Sequence, residues 1–426
     1  MSARTATNRL RALAGVPLYR NAYALLLNTV GTGALGLVFW VAAARVLPSR
    51  DVGRGVSTVN TMLFIAGAAQ LNLLSFLGRF LPVSGGKARR LVHYAYGASV
   101  SAAILFCTIF VVLERAHLVR SPVPASGYGL GAFFLATAAY AVFSLQDGVL
   151  TGLRSAHWVP LENVLFGVAK LVLLTLFAAL GVHLAIFYSW SLSTAIAVPA
   201  VTWLIFRKLI DDPERRPAVG DLPRPRDLVR FFAADYVGSV FMLASYLITP
   251  VVVVAEIGTT RGAYFAVVWS LVTSIDLIAF NMGSSLVVEG TIAPERVGNL
   301  LSGLIRHQIR IVAPLSLVLL VAAPLVLIPF GAAYAEHSTD LLRLMALALV
   351  PRSLIVLAMS VWRIDRRLLP IVIANVTTAA AVLGTATALT RRSGGEPVAA
   401  AWLAVQILLC VAYFPGLRRR MSAASV

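Results

Sequence analysis

Three charged residues stand deep inside otherwise apolar stretches of this 426-residue chain: Lys170, Asp276 and Arg352. Lys170 lies about eleven residues into its stretch, or ~16 Å at 1.5 Å rise per helical residue. Asp276 and Arg352 fall near the middles of theirs. A charge at a bilayer centre costs about 2.5–3.5 kcal/mol on insertion scales, so such residues mark pathways or internal pairs. Two readings stand. In one, Lys170 and Arg352 face a water-filled cavity and attract an anion, while Asp276 holds a coupling cation or a proton. In the other, they form an internal ion pair that only fixes helix packing. Asp147 and Asp235 are further ion-coupling candidates nearer the span ends, with Arg154 and Arg230 as expected salt-bridge partners. Glu162 is placed shallow in its span and is expected to be solvated.

Uncharged polar residues follow helical spacing. Ser57, Asn60, Thr61, Asn72, Ser75 and Arg79 trace one face of the second span, and Ser270, Thr273, Asn281 and Ser284 trace a similar stripe in the eighth. Span 1 adds Asn21, Asn28 and Thr32, and span 7 adds Asp235, Ser239, Tyr246 and Thr249. Single Ser, Thr and Asn residues act as interhelical glue worth about 0.6 kcal/mol each. Four stripes at the starts of the two halves favour a shared polar cavity, with Arg79, Lys170, Arg352, Asn28, Asn60, Asn72 and Asn281 as its substrate-facing candidates.

These residues are positioned by about twelve apolar runs, at 21–44, 55–81, 91–113, 128–152, 159–181, 184–206, 229–255, 262–288, 304–330, 341–362, 368–390 and 397–416. Each is near the roughly 20 residues that cross a bilayer as a helix, and helices satisfy their own backbone groups in lipid. Apolar residues make up 59% and charged residues 13% of the chain, too little charge for a soluble surface of this size. The fold class expected is therefore an all-α polytopic membrane protein with two six-helix lobes.

The net charge is +18, which in a soluble protein would suggest nucleic acid. Here the charge is sorted by side. With the N-terminus inside, 25 Lys and Arg fall on cytoplasmic segments and nine on outer loops. This obeys the positive-inside rule, puts both termini in the cytoplasm and faces the basic loops toward anionic lipid. Nucleic-acid binding is excluded on this ground. Cys107 and Cys410 lie in separate spans, as small buried hydrophobes without a disulfide framework. The apolar run ahead of Ala42-Ala43-Ala44 is too long for a signal-peptide core and reads as an uncleaved first span.

Residues 1–209 are expected to form an N-terminal lobe with spans 1–6, 210–228 a cytoplasmic linker, and 229–426 a C-terminal lobe with spans 7–12 and a basic tail. The linker contains Asp211-Asp212-Pro213 and Pro223-Arg224-Pro225-Arg226, without an apolar period. The halves show weak similarity at an offset of about 208 residues. Val52-Gly53-Arg54-Gly55 matches Thr259-Thr260-Arg261-Gly262, Thr151-Gly152-Leu153-Arg154 matches Ser360-Val361-Trp362-Arg363, and Pro160 with Asn163 matches Pro370 with Asn375. Starting on the same side, the repeats would be parallel, about an axis along the membrane normal.

Catalytic signatures are missing. Only Lys87 among the three lysines follows a Gly, and Ala88 stands where a phosphate-binding loop needs Ser or Thr. The six His residues show no metal-binding pair, and no Gly-x-Ser-x-Gly elbow occurs. Neither a metal, a cofactor nor an enzymatic activity is expected.

The stretch Asn21–Pro82, NAYALLLNTVGTGALGLVFWVAAARVLPSRDVGRGVSTVNTMLFIAGAAQLNLLSFLGRFLP, resembles polysaccharide flippases of the multidrug/oligosaccharidyl-lipid/polysaccharide exporter superfamily. The carriers are an Ala-Arg-Val-Leu-Pro exit, an Asp-Val-Gly entry and a Leu-Gly-Arg-Phe-Leu-Pro close. Gly148-Val149-Leu150-Thr151-Gly152-Leu153-Arg154 with Trp158 and Asn163 is similar to that family's segment between spans 4 and 5, and Phe330-Gly331-Ala332-Ala333-Tyr334 with Leu341-Leu342-Arg343-Leu344 to its approach to span 10. The resemblance covers nearly the whole chain. It implies two six-helix lobes around a central cavity with alternating access, a MATE-like transporter fold. It also implies a polyprenyl-diphosphate-linked oligosaccharide, as in O-antigen and lipopolysaccharide synthesis, moved to the outer leaflet of a bacterial plasma membrane. The implied partners are that glycan lipid, membrane lipids, and a polysaccharide polymerase or glycosyltransferase, with the chain acting as a monomer. Arginine suits bidentate phosphate contact, which agrees with Lys170, Arg352 and Arg79 as diphosphate-attracting residues.

Three rivals are weighed against this. A cation-driven multidrug exporter on the same fold would favour carboxylates over Lys and Arg in its cavity. A membrane glycan polymerase would need long polar loops with acidic or His residues, which this chain lacks. A non-transporting scaffold would keep the same cavity without turnover.

Overall fold

The computed structural model describes residues 17–119, 127–210, 235–292 and 294–422, with side chains from Gly31 onward. Side chains at 294 and 422 are outside that description, as is nearly all of the expected linker 210–228. The chain is built of helices. They are α1 (Pro17–Val46), α2 (Ser49–Ala69), α3 (Leu73–Phe80), α4 (Ala88–Arg115), α5 (Gly127–Gly152), α6 (Trp158–Ala179) and α7 (Ala185–Leu204). They continue as α8 (Asp235–Ile257), α9 (Thr259–Ile292), α10 (Val297–Val321), α11 (Ala332–Ile364), α12 (Leu369–Ala388) and α13 (Glu396–Ser422). Among the described residues ten helices are long and apolar enough to cross a bilayer, and a bent pair makes an eleventh.

That bent pair corrects the continuous second span expected at 55–81. The helix breaks between Ala69 and Leu73, and the two pieces meet at 47°. Leu71 and Asn72 take left-handed backbone angles, φ 50° and 58°, a conformation that costs residues other than glycine roughly 1–2 kcal/mol each. Gln70 Nε2 donates to Ser144 Oγ at 2.8 Å, tying the break to α5. Gly152 lets α3 lie against α5, since a Cβ there would come within 2.9 Å of the Leu77 carbonyl.

The chain divides into two units. The first draws on Met1–Phe39, Ile65–Ala116 and Pro124–Asp227; the second on Trp40–Phe64, His117–Val123 and Leu228–Val426. In the first, α4 and α7 pack on α5, and α6 packs on α7. Leu77, Leu81, Val92, Leu145, Val149, Ile205 and Leu209 form a buried core across α3, α4, α5 and the end of α7. In the second unit α11 is the central post, packed by α9, α10 and α13. Leu286, Leu301, Leu357, Val361 and Leu417 close its core at one end.

Gly53 opens α2 and Thr259 opens α9, the two starts that the repeat offset aligns. A Cβ on Gly53 would stand 1.9 Å from the Thr259 carbonyl oxygen, so only glycine fits that approach. Arg45, at the end of α1, donates to the Ile328 and Pro329 carbonyls at 2.7 and 2.6 Å, satisfying backbone groups of a short turn before α11.

Candidate functional site

The first unit holds one buried cation. Lys170 on α6 is 8% exposed. Its Nζ lies 4.9 Å from the Phe39 ring centre, 5.5 Å from Phe166 and 4.1 Å from Trp190. Phe166 is four residues earlier on the same helix, so helical periodicity sets it beside the lysine stem. Trp190 comes from α7 and meets Phe166 edge-on at 5.7 Å and Phe39 edge-on at 6.2 Å. The ammonium therefore stands in a box of three aromatic rings, whose negative faces attract a cation. Among the described residues no carboxylate forms an ion pair with it.

Two carboxylates lie further along the same unit. Asn163 Nδ2 donates to Asp147 Oδ1 at 3.4 Å; this replaces the Arg154 pairing expected from sequence. Glu162, expected to be solvated, is only 7% exposed, and both its carboxylate oxygens are shielded without a hydrogen-bond partner among the described residues. Glu162 lies only a few residues from the start of its span, but the packing of neighbouring helices covers that face. Depth along one helix does not report what stands beside it.

The second unit brings together two of the three deep charges. Arg352 Nε lies 3.5 Å from Asp276 Oδ2, and both residues are almost fully buried. Tyr246 sits between them. Its hydroxyl donates to Asp276 Oδ2 at 2.5 Å and accepts from Arg352 Nη2 at 2.9 Å and Nε at 3.2 Å. The guanidinium also lies 5.6 Å from the Tyr246 and Phe280 ring centres and 5.7 Å from Trp402.

A backbone irregularity places Tyr246. Residues Ala244–Ile248 form a π-helical turn in α8, followed by Pro250. Pro250 has no N–H to give the carbonyl four residues back, and that carbonyl belongs to Tyr246. Trp269 Nε1 on α9 donates to it instead, at 2.9 Å. Trp402 on α13 packs edge-on against both Tyr246 and Trp269, at 5.7 and 5.2 Å. Four helices thus converge on one charge triad. Single π turns of this kind recur at functional sites.

The remaining candidates are dispersed. Asn60 is buried on α2, and Asn72 stands at the first position before α3, at the break, without a side-chain capping hydrogen bond. Arg79 is exposed near the end of α3 with its guanidinium 5.5 Å from the Phe80 ring centre. Asn281 is exposed on α9. Asp235 meets Arg363 Nη2 at 3.9 Å, while Arg230, its expected partner, lies outside the described residues, as does the Asn28 side chain. Many stripe hydroxyls bond within their own helices: Thr61 to the Ser57 carbonyl, Thr273 to Trp269 and Ser284 to Phe280. Such back-bonding answers their polarity without a ligand. Sequence reasoning missed the aromatic box, although Phe166 at four residues from Lys170 was a visible signal.

No protein-family model matches the chain, and no curated protein matches it. Solved structures do resemble it in fold. One described as an inward-facing multidrug resistance MATE family transporter of the MOP superfamily is 16% identical, with a TM-score of 0.64 over 94% of this chain and 95% of that one. A MATE crystal structure in the bent conformation is 15% identical, with a TM-score of 0.65 over 97% and 98%. A MOP superfamily transporter from Pyrococcus furiosus, described as having a binding pocket of reverse polarity that suggests a different function, is 15% identical, with a TM-score of 0.57 over 97% and 98%. The chain therefore has the MATE-like, all-helical polytopic membrane fold.

Proposed function

We propose that the chain exports a polyprenyl-diphosphate-linked oligosaccharide from the cytoplasmic to the outer leaflet by alternating access, for cell-surface polysaccharide synthesis. The observation that carries this reading is Lys170, a buried ammonium faced by aromatic rings and, among the described residues, paired with no carboxylate. A buried cation without a counter-ion is stabilised when an anion arrives. A diphosphate is such an anion, and the polyprenyl tail can stay in lipid while the head group passes. Arg352 already has Asp276 and Tyr246 as partners. In this reading the triad is the coupling device: a proton or cation taken up at Asp276 weakens its hold on Arg352 and changes how α8, α9 and α11 pack. Fold-related transporters described as multidrug resistance proteins support the exporter class. The relative with a pocket of reverse polarity supports reading substrate class from the sign of the buried charge.

The test is movement of a fluorescent polyprenyl-diphosphate oligosaccharide in proteoliposomes, with and without a proton or sodium gradient. Wild type should move it, and Lys170→Met should lose most of the flux while keeping the fold. Undiminished flux in Lys170→Met would remove the charge argument. A second reading, a cation-coupled multidrug exporter, is favoured by the buried carboxylate Glu162 and the half-buried Asp147. It predicts movement of an amphipathic drug cation in the same vesicles, lost in Glu162→Gln.

A further inference from the structure

A second charged site lies in the second unit, where the turn after α11 meets the end of α13. It is a pocket of about 340 Å³ whose charged lining is Asp365, Arg367, Arg419 and Arg420. Its floor is apolar, with Ala358, Val361 and Leu417 buried. Its aromatic wall is Trp362 packed edge-on against Tyr413, with ring centres 4.4 Å apart. Its rim carries three arginines and one aspartate. Arg420 Nη2 spends one donor on Asp365 Oδ1 at 3.0 Å. The Nε–H of the same guanidinium is shielded from solvent and has no acceptor among the described residues. Arg367 and Arg419 form no ion pair among the described residues, so the pocket keeps a cationic surplus. A shielded donor of this kind needs a partner, and the guanidinium fork fits a phosphate.

We propose that this pocket seats the phosphate headgroup of an anionic phospholipid. The Arg-rich turn Arg363-Ile364-Asp365-Arg366-Arg367 and the run Arg418-Arg419-Arg420 bring six arginines to these helix ends. Basic pockets between spanning helices bind such headgroups, and Trp and Tyr favour the membrane interface. The combination of apolar floor, aromatic wall and cationic rim suits a phosphate attached to a lipid, whereas a free phosphate would use only the rim. The proposal is independent of the transported substrate.

The test reads lipid retained by the full-length chain from nanodiscs of mixed phosphatidylglycerol and phosphatidylcholine, by native mass spectrometry. Wild type should retain phosphatidylglycerol selectively. Arg367→Gln with Arg419→Gln should lower that retention roughly 30-fold, from two contacts of about 1 kcal/mol each. Arg207→Gln with Lys208→Gln, which removes the same charge elsewhere, should leave it unchanged. An equal fall in both double variants would overturn the site in favour of general attraction. Displacement of the lipid by inorganic phosphate, with equal phosphate binding in phosphatidylcholine alone, would overturn the lipid assignment. Wild-type protein supplies a check free of folding effects. Brominated phosphatidylglycerol should quench Trp362 emission, read against Trp362→Phe, and brominated phosphatidylcholine should not; equal quenching by both would also overturn the proposal.

Discussion

Removing one member of the Arg352–Asp276–Tyr246 triad should destabilise the second unit far more than removing two together. The charges are 3.5 Å apart and almost fully buried. At an effective dielectric of about 20 their attraction is roughly 5 kcal/mol, most of it offset by the desolvation of both groups. Arg352→Met leaves Asp276 buried with only the Tyr246 hydroxyl, and Asp276→Leu leaves Arg352 likewise. Each single change is expected to lose about 3–5 kcal/mol, whereas the double change is expected near wild type, because an apolar pair of similar volume has no desolvation to offset. The coupling energy should therefore exceed about 3 kcal/mol with the sign of a favourable pair. The assay is reversible unfolding in mixed detergent micelles, followed by tryptophan emission; Trp269 and Trp402 both pack against the triad and report its loss. Additive losses, with coupling under about 0.5 kcal/mol, would refute the claim that these charges form one energetic unit.

Other consequences follow from the same geometry. Gly53→Ala should lower stability by about 1–3 kcal/mol through the clash with the Thr259 carbonyl, while Gly36→Ala, with nothing within 4 Å, should be neutral or slightly stabilising; thermal unfolding in detergent compares them. Trp269→Phe should lose about 1–3 kcal/mol by leaving the Tyr246 carbonyl without its donor; Pro250→Ala should restore part of it by returning a backbone N–H, measured in the same unfolding assay. Lys170→Met should leave stability equal or higher by about 1 kcal/mol, since it removes a buried cation but keeps its packing; a large loss of stability would mean that the aromatic box, rather than a ligand, is the purpose of the lysine. Arg45→Ala should raise hydrogen exchange at Phe330 and Gly331, because two carbonyls of the preceding turn lose their donor.

Hydropathy was enough to read a helical membrane fold, because a bilayer leaves the backbone few alternatives to long apolar helices. The same logic picked Lys170, Asp276 and Arg352 out of 36 Lys and Arg and 18 Asp and Glu, since depth along a span is countable. It failed where the answer depended on direction around the helix. Its distance from the span end makes Glu162 shallow, yet packing shields both its oxygens. The break at Gln70–Asn72 interrupts an unbroken apolar period, and nothing local in Leu71 announces a left-handed backbone.

The sequence by itself determined the helical membrane fold and the order of its apolar helices, because these depend on transfer energies summed along the chain. Only the tertiary structure decided that Arg352 is answered by Asp276 and Tyr246 while Lys170 is faced by the rings of Phe39, Phe166 and Trp190. Pairing across helices depends on rotation and crossing geometry set by the whole packed unit, and those quantities leave no mark in the spacing of residues along one span.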